Sequence, residues 1–333
     1  MSSAALQRIL IIQTAFTGDV VLATPVAEKL HRHYPDAEID MLVRKGNEGL
    51  LAGHPFLHQV LVWNKKEGKL RNLWKLLLQI RKRRYDLVIN LHRFASSGIL
   101  AGFSGARQRI GFDKNPLSWR YTRALPHEIG TGRHEIRRNL DLIVHLTDDE
   151  PQAPRLYPTA ADEKAVSFHK QAGPYICIAP ASVWFTKQWP ASQWLKLIAL
   201  VPAQYRIYLL GAPGDNELCE KIRRDSGRAQ VMNMAGQLSF LQSVSMIRDA
   251  AMNYVNDSAP LHFASASDAR VTAVFCSTVP AFGFGPVSPQ SRVVEVAEKL
   301  SCRPCGLHGH ASCPEAHFNC ALKIDPAAVL GEL

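Results

Sequence analysis

One stretch of the sequence combines residue types that bind phosphate with a local pattern that starts a helix. It runs from Tyr254 to His262 and reads Tyr-Val-Asn-Asp-Ser-Ala-Pro-Leu-His. The pattern predicts a strand, a tight turn and a helix, because Asp257 and Ser258 are N-cap residue types and Pro260 suits a first helical turn. The free backbone N–H groups and positive dipole end of such a helix bind phosphate or diphosphate, and His262 would point back toward that anion. The alternative is that Asp257 only caps the helix and His262 only packs.

A second candidate group lies near the N-terminus. The apolar run from Ile9 to Ile12 is typical of a parallel strand buried on both faces, and a small polar loop follows it. Apolar residues then repeat at three and four positions, which predicts a helix with Asp19 at its N-cap. This position lies beyond the carboxyl end of the strand, where open α/β sheets bind ligands. Because Asp is a common cap, capping alone is the alternative.

Length and composition limit the class of protein. A chain of 333 residues fits two domains of about 150 residues each. Its 47% hydrophobic and 20% charged residues are typical of a soluble globular protein, and no apolar run approaches the roughly 20 residues of a membrane span. The N-terminus lacks a basic region followed by a long apolar core, so we expect no signal peptide and a cytoplasmic location.

Basic residues are concentrated in the first half of the chain. The formal net charge is +10, and the first 150 residues hold 23 Lys and Arg against 15 Asp and Glu, whereas the remainder holds 16 against 14. This surplus indicates an anionic partner of the first half or serves solubility alone. Nucleic acid, an anionic membrane surface and a phosphorylated substrate are all compatible with it.

A long helix in the first half has an apolar face and a basic end. The spacing predicts a helix over about 70–84. The residues expected to face inward are Leu70, Leu73, Trp74, Leu77 and Ile80. Its last four residues are all basic, which complements the helix dipole and favours a solvated end. Contact with an anionic membrane is the alternative.

Strands and helices alternate through both halves of the chain, with a polar loop after each strand. Two such series predict two doubly wound α/β domains that face each other across a cleft. We expect an N-terminal domain over 1–155, a linker over 156–173, a C-terminal domain over 174–310 and a cysteine-containing tail over 311–333.

Five motifs, in order along the chain, resemble those of one family. They are Thr17-Gly18-Asp19-Val20-Val21-Leu22-Ala23-Thr24-Pro25, Lys187-Gln188-Trp189-Pro190 with Trp194, Gly211-Ala212-Pro213-Gly214-Asp215, Ala235-Gly236, and Asn256-Asp257-Ser258-Ala259-Pro260-Leu261-His262. With plausible spacing over nearly the whole chain, they resemble the family 9 glycosyltransferases, the lipopolysaccharide core heptosyltransferases and their relatives.

The resemblance implies the GT-B fold and a transferase that moves heptose from an ADP-activated donor to a sugar hydroxyl of a lipid-linked acceptor. Transfer would proceed with inversion and without a metal or other cofactor. The N-terminal domain would take the acceptor, a polyanionic lipid A and Kdo saccharide, and the C-terminal domain the nucleotide sugar. Such an acceptor fits the basic first half, and we expect peripheral association with the inner face of the membrane and no nucleic-acid partner.

The resemblance also assigns residues to the chemistry. Asp19 matches the general base that activates the acceptor hydroxyl, and Lys187 with the helix N-terminus at Ser258 would meet the charge on the departing diphosphate. The donor-side candidates are Ser182, Thr186, Lys187, Asp215, Leu238, Asp257, Ser258, Ala259 and His262. Among these, Asp215, or Glu217, would take the ribose, and Leu238 would lie near the adenine. The acceptor-side candidates are Thr17, Gly18, Arg93 and Arg120. Lys187 could instead be a solvated surface lysine, and we expect Trp189 and Trp194 in the core.

Two departures from the family pattern bear on the donor. Ala259 stands where the family commonly has Gly, which changes how closely the backbone approaches a phosphate. The loop over 276–286 is also longer and more aromatic than the usual one. The donor sugar could therefore differ from heptose.

The seven cysteines divide into two groups. Cys177, Cys219 and Cys276 fall in predicted strands or helices and are expected to be buried free thiols. The others, Cys302, Cys305, Cys313 and Cys320, have a spacing that suffices for a structural metal site, but packed thiols or a redox pair are the favoured interpretation. None is expected to be catalytic.

Two alternatives to a heptosyltransferase are compatible with the sequence. One is a relative of the family that uses another nucleotide sugar or another acceptor. The other, from a different class, is a non-catalytic basic adaptor that binds anionic lipid or nucleic acid. The chain lacks the interleaved aromatic and basic residues of a nucleic-acid platform, which disfavours the second.

Overall fold

The computed structural model describes residues 6–333, and these form two compact units. Unit 1 takes the described residues up to Ile129 together with Glu135–Tyr157, and unit 2 takes Gly130–His134 with Pro158–Leu333. A short piece of the first half of the chain therefore belongs to the second unit.

Unit 1 is built on a sheet of six parallel strands in the order β3-β2-β1-β4-β5-β6. The strands are β1 (Arg8–Ile12), β2 (Glu38–Arg44), β3 (Leu57–Trp63), β4 (Leu87–Asn90), β5 (Gln108–Phe112) and β6 (Arg123–Leu125). The helices are α1 (Thr17–His33), α2 (Lys69–Arg83), α3 (Ala95–Gly102) and α4 (Glu135–Asp141).

Unit 2 repeats the same topology, with the order β9-β8-β7-β10-β11-β12 and all strands parallel. The strands are β7 (Tyr175–Ala179), β8 (Arg206–Leu209), β9 (Val231–Asn233), β10 (Met252–Asn256), β11 (Val271–Phe275) and β12 (Ser291–Glu295). The helices are α5 (Ala160–Gln171), α6 (Ala191–Leu200), α7 (Asn216–Asp225), α8 (Phe240–Asp249), α9 (Ala259–Ala266), α10 (Asn319–Leu322) and α11 (Pro326–Leu330).

The strand order places a topological switch point in each sheet. The first strand of each unit lies beside the fourth, so β1 neighbours β4 and β7 neighbours β10. Loops after two such strands diverge to opposite sides of the sheet and leave a crevice at the carboxyl ends, where α/β proteins bind ligands. The doubly wound class expected from the sequence is confirmed, and the switch points show which loops meet.

The described part of the chain includes no helix that is both long enough and apolar enough to cross a bilayer.

The structure corrects the predicted start of α1. The N-cap is Phe16, and Asp19 is the third residue of the helix rather than its N-cap. Its carboxylate reaches back to accept the Phe16 N–H at 3.0 Å, as the third residue of a capping box does. Sequence composition alone could not separate the two positions, because Asp is favoured at both.

The inward face of α2 was also predicted wrongly in part. Leu73, Leu77 and Ile80 are buried as expected, but Leu76 is buried with them, while Leu70 and Trp74 are exposed. The apolar residues of this helix cover more than half of its circumference, so periodicity could not decide which edge meets the sheet.

Most of the expected linker, from residue 158 onward, and the whole of the expected tail belong to unit 2. The segment 156–173, expected as a linker, contains helix α5. The tail over 311–333 contributes Phe318, Cys320, Ile324 and Val329 to the core of unit 2, beside Trp189 and Trp194. Both tryptophans are buried, as predicted. The C-terminal residues are therefore part of the fold that supports the loop after β7.

We expect the tail to contribute to the stability of unit 2. Replacing buried Ile324 by Ala should lower the free energy of unfolding by about 2–5 kcal/mol, because it removes methyl groups from a packed core. The matched control is Leu322→Ala, at an exposed position two residues earlier, with a cost within about 0.5 kcal/mol. Chemical denaturation measures both, and equal effects would show that the tail is not core.

Candidate active site

The two loops at the switch point of unit 2 meet through an ion pair. Lys187 lies on the loop after β7 and Asp257 directly after β10, and Lys187 Nζ is 2.6 Å from Asp257 Oδ2. The Thr278 hydroxyl donates to the same carboxylate oxygen at 2.6 Å. Both charged side chains are largely buried. Lys187 is therefore held by a fixed carboxylate rather than freely solvated.

The side-chain amide of Asn256 fixes the position of the Lys187 loop. Asn256 is fully buried; its Oδ1 accepts the backbone N–H of Trp189 at 3.0 Å, and its Nδ2 donates to the carbonyl of Pro180 at 2.7 Å. The loop is thus tied to β10 near both of its ends. The Trp189 indole adds a further anchor by donating to the carbonyl of Ala321 at 3.0 Å.

The N-terminus of α9 presents free backbone N–H groups beside this ion pair. Ser258 is the N-cap, but its side chain makes no capping hydrogen bond. Among the described residues, the backbone N–H groups of Ser258 and Ala259 have no hydrogen-bond partner, and Pro260 has no N–H to offer. The end of the helix dipole is thus open to an anion.

His262 adds a neutral donor to the same cluster. Its side chain is buried and its Nδ1 makes no hydrogen bond within the described structure. Burial lowers the pKa of His262 to about 4, helped by His134 and Lys187 and opposed by Asp257. The imidazole is therefore neutral at physiological pH and can donate one N–H, as an unpartnered buried nitrogen is expected to do toward a ligand.

The hydroxyl and backbone N–H of Thr186 are both used in hydrogen bonds within the fold. The sequence alone did not predict this. Its hydroxyl accepts the N–H of His310 at 2.8 Å and the hydroxyl of Ser277 at 3.1 Å, and its own N–H donates to the His310 carbonyl at 3.1 Å. A Cβ at Gly309, where φ is +79°, would lie 2.9 Å from the Thr186 hydroxyl oxygen. The cysteine-containing segment therefore packs directly on the Lys187 loop, and only glycine allows that approach.

Ser182 and Asp215 retain groups that could contact a ligand. The carbonyl of Ser182 accepts the side-chain amide of Gln188 at 2.7 Å, and no described residue bonds to its hydroxyl. One carboxylate oxygen of Asp215, Oδ2, accepts the Ala212 N–H at 2.7 Å. Its Oδ1 has no hydrogen bond with the described residues.

Close packing brings the loops after β8 and β9 together. The N–H of Gly236 donates to the carbonyl of Gly211 at 2.9 Å, and a Cβ at Gly236 would lie 2.9 Å from the Pro213 Cα. Gly236 also has φ of +74°, which glycine adopts without strain. Leu238 is partly buried at the end of the second of these loops.

In unit 1, the environment of Asp19 makes it a stronger base than an ordinary carboxylate. Burial, and next the negative charge of Glu135, raise the pKa of Asp19 to about 6, against the opposing effects of the Phe16 N–H, Arg93 and Arg44. At neutral pH the carboxyl group is therefore mainly ionised, and its pKa is close to the values at which general bases are effective.

Cations at or just beyond the carboxyl ends of three strands lie at the same edge of the sheet as this carboxylate. Arg93 follows β4 and Arg44 ends β2, and both act on Asp19 electrostatically. Lys65 follows β3 and donates to the carbonyl of Thr14 at 2.7 Å; burial, Arg44 and Lys69 lower its pKa to about 8. Arg44 and Lys65 were not among the residues predicted from the sequence, although a basic residue at or just past a strand's carboxyl end was the available signal.

A histidine joins the two loops at this switch point. The Nδ1 of His92 is 3.0 Å from the Thr14 hydroxyl, across the neighbouring ends of β1 and β4. Burial, with Lys65 and Arg93, lowers the pKa of His92 to about 4, so this ring is neutral as well.

The remaining acceptor-side candidates do not lie together. The Thr17 hydroxyl donates to Asn47 Oδ1 at 3.1 Å, and Gly18 follows it in the first turn of α1. The Arg120 guanidinium instead lies 4.4 Å from the Phe103 ring centroid and 5.3 Å from that of Trp119. The described contacts of Arg120 do not include Asp19.

The cysteines form no disulfide in the described chain. Cys177, Cys219 and Cys276 are buried free thiols, as predicted. Within residues 6–333, no group of three or more His, Cys, Asp or Glu side chains is arranged to hold a metal ion. The Cys305 thiol donates to the carbonyl of Cys302 at 3.0 Å.

Comparison with known proteins agrees with this arrangement. Residues 73–311 match the profile of glycosyltransferase family 9 (heptosyltransferase). The chain belongs to glycosyltransferase family 9. It is 28% identical over 280 residues to lipopolysaccharide heptosyltransferase 3 of Escherichia coli, covering 79% of this chain and 82% of that protein.

Solved structures share the fold. The E. coli ADP-heptose lps heptosyltransferase II superposes with a TM-score of 0.80 at 21% identity, covering 97% of this chain and 96% of that one. The E. coli heptosyltransferase WaaC with ADP-2-deoxy-2-fluoro heptose gives 0.73 at 20% identity, covering 97% and 98%. The GT-B class is thereby confirmed. As a family 9 member the chain is a glycosyltransferase, which decides against the non-catalytic adaptor.

The raised pKa of Asp19 predicts a cost in stability. The folded state binds the Asp19 proton more tightly than the unfolded state, so protonated Asp19 adds to the free energy of unfolding. This contribution is complete below about pH 4 and is lost as pH rises through about 6. Asp19→Asn should therefore raise the free energy of unfolding at pH 7.5 by about 1–2 kcal/mol and change it little at pH 4. Denaturant titrations at the two pH values measure this difference, and a variant less stable at pH 7.5 would contradict it.

Proposed function

We propose that this family 9 glycosyltransferase transfers heptose from ADP-heptose to a sugar hydroxyl of a lipid-linked acceptor, the lipid A and Kdo region of the lipopolysaccharide core. Transfer proceeds with inversion and without a metal ion, and the enzyme acts in the cytoplasm at the inner membrane. The observation that carries the proposal is the cluster of Lys187, the open α9 N-terminus and neutral His262, in a chain of the heptosyltransferase family.

Residues on the donor side stabilise the negative charge of the leaving group. In the proposed reaction the bond between the anomeric carbon and the diphosphate oxygen breaks, and negative charge develops on ADP. The Lys187 ammonium, the N–H groups of Ser258 and Ala259 and the His262 N–H stabilise that charge through fixed dipoles. Asp257 orients the ammonium before the donor arrives. Ser182 and Asp215 are proposed to contact the nucleotide, and Leu238 the adenine.

Thr186 has a different role in this scheme. Its hydroxyl already bonds to His310 and Ser277, so we propose that it positions the Lys187 loop and does not bind the donor by its side chain.

The acceptor side supplies the base. Asp19 takes the proton of the acceptor hydroxyl while the hydroxyl oxygen attacks the anomeric carbon. The attack comes from the face opposite the diphosphate, which inverts the configuration of that carbon. Arg44 and Arg93, which act on Asp19 electrostatically, and Lys65, which follows β3, are proposed to bind the anionic groups of the acceptor. This assigns the acceptor to unit 1 and the nucleotide sugar to unit 2.

A second candidate keeps this mechanism and replaces the donor. It is favoured by the methyl group of Ala259 at the anion-binding end of α9, where the resemblance to the family predicts glycine. A relative that uses another nucleotide sugar would retain the base and the diphosphate cluster but differ in the sugar pocket.

Calorimetric titration with ADP, UDP, GDP and their sugar conjugates tests the donor, and each titration is run both with and without EDTA. We expect ADP and ADP-heptose to bind preferentially, and Lys187→Ala to weaken them about 100-fold, because it removes the cation and leaves the Asp257 carboxylate near the diphosphate. The double variant Lys187→Ala, Asp257→Asn should recover part of that loss by removing the repulsion.

The matched control is Lys196→Ala, an exposed lysine on α6, which should bind as the wild type does. Preferential binding of UDP or GDP conjugates would support the second candidate. Unchanged ADP binding by Lys187→Ala would contradict the diphosphate cluster, and loss of binding with EDTA would contradict a metal-free site.

The pH dependence of transfer tests the base. We expect kcat/KM to fall as pH drops through about 6, because protonated Asp19 cannot accept the hydroxyl proton. Asp19→Asn should lower kcat about 1,000-fold with little change in donor affinity. Arg93→Gln should move the acid limb to higher pH, because Arg93 lowers the pKa of Asp19.

Arg107→Gln removes an exposed arginine that is absent from the electrostatic surroundings of Asp19, and should leave the acid limb in place. An acid limb that persists in Asp19→Asn at the same pH would assign the titrating group to another residue.

A further inference from the structure

Helix α2 carries an apolar stripe that the sheet does not bury. Leu70, Trp74 and Leu78 recur at every fourth position and so lie along one side of the helix. Their exposed fractions are 71%, 63% and 64%. The core of unit 1 is covered by a different set of residues of the same helix, which includes Leu73 and Leu77. The stripe is therefore an unpartnered second apolar face, about 12 Å long at 1.5 Å per residue.

A basic row runs beside this stripe. Arg71, Lys75 and Lys82 are exposed and form no ion pair with the described residues. Arg71 and Lys75 precede Trp74 and Leu78 by three positions, and Lys82 follows Leu78 by four. Their side chains therefore flank the stripe. Helix α2 has no acidic residue along its length Lys69–Arg83. We call the stripe and this row together the α2 patch.

A second exposed aromatic group adjoins the end of α2. The Arg81 guanidinium donates to the carbonyl of Phe103 at 3.0 Å. The Arg120 guanidinium lies over both the Phe103 and Trp119 rings, and Trp119 is 73% exposed. The surface next to the α2 patch thus repeats its combination of aromatic rings and arginine.

We propose that the α2 patch docks unit 1 on an anionic phospholipid bilayer. Trp74, Leu70 and Leu78 would enter the boundary between headgroups and acyl chains, and the basic row would contact the lipid phosphates. An apolar stripe flanked by Lys and Arg, with Trp at its centre, has the composition of helices that lie in a membrane interface. This surface lies outside the groups assigned to the proposed reaction, and docking requires no transfer activity.

Charge distinguishes this occupant from two others. A second copy of the chain seated on the same face would bring two rows of like charge together, and the centre of a protein interface is normally depleted of charged residues. A nucleic acid would satisfy the basic row but leave Leu70 and Leu78 in water, because these side chains cannot stack on bases. An anionic bilayer satisfies both parts of the patch.

Sedimentation with vesicles tests the proposal on the full-length protein, without donor or acceptor. The wild type should bind vesicles rich in phosphatidylglycerol far better than pure phosphatidylcholine vesicles, and added salt should weaken binding. Trp74→Gln should weaken binding at least about tenfold through loss of apolar insertion. Lys75→Gln with Lys82→Gln should weaken it about 25-fold, at about fivefold for each cation lost.

Matched controls come from unit 2. Phe168→Gln replaces an aromatic residue that is 76% exposed, and Lys164→Gln removes one exposed cation from the same helix, α5. Both should bind vesicles as the wild type does. All variants change exposed side chains, so their thermal unfolding midpoints should match that of the wild type. Measuring these midpoints excludes loss of the fold as the cause of weaker binding.

Three outcomes would overturn the proposal. They are patch variants that bind like the wild type, equal binding to both kinds of vesicle, and a wild-type dimer that Trp74→Gln dissociates without affecting vesicle binding. Transfer to a water-soluble, deacylated acceptor provides a separate readout. Trp74→Gln should leave it unchanged, so failure of the docking surface and failure of the proposed reaction are distinguishable.

Discussion

Parallel strands buried on both faces constrain where this protein can keep its polar chemistry. Every residue of the central strands β1, β4, β7 and β10 is buried except Arg8 at the start of β1, which is partly buried. Charged side chains are therefore excluded from most of their length. The loops beyond the carboxyl ends are the nearest positions available. Because β1 neighbours β4 and β7 neighbours β10, loops far apart in sequence meet there, and most of the candidate residues lie on these loops.

The two units use burial in opposite ways at these loops. In unit 2, Lys187 and Asp257 compensate each other, and neutral His262 adds a donor without adding charge. In unit 1, Asp19 is incompletely compensated, because Glu135 acts against Arg93 and Arg44. A compensated pair is suited to hold a fixed charge near an anion, whereas an incompletely compensated carboxylate keeps a proton affinity near neutral pH. The same sheet topology therefore supports two electrostatic environments.

The cysteine-containing segment connects the fold of unit 2 to its candidate site. Gly309 and His310 pack on Thr186, and Cys305 donates its backbone N–H to the carbonyl of Ser277, whose hydroxyl also reaches Thr186. Farther along, Ile324 and Val329 enter the core beside Trp189. The position of Lys187 therefore depends on residues more than one hundred positions later in the chain.

The sequence by itself determined the α/β class, the two-domain organisation, the family and most of the loops that carry the candidate residues. These follow from local signals, such as apolar runs, N-cap residue types and motifs read in order. Only the tertiary structure decided that Asp19 is the third residue of α1, that Thr186 supports a loop, that Arg44 ends a strand next to β1 while Lys65 follows the strand beyond it, and that Trp74 faces solvent. The surroundings of Thr186, Arg44, Lys65 and Trp74 depend on which distant segments pack together, which strands are neighbours or which side of a helix meets the sheet. That choice is made by packing between distant segments, and residue spacing within one segment does not encode it.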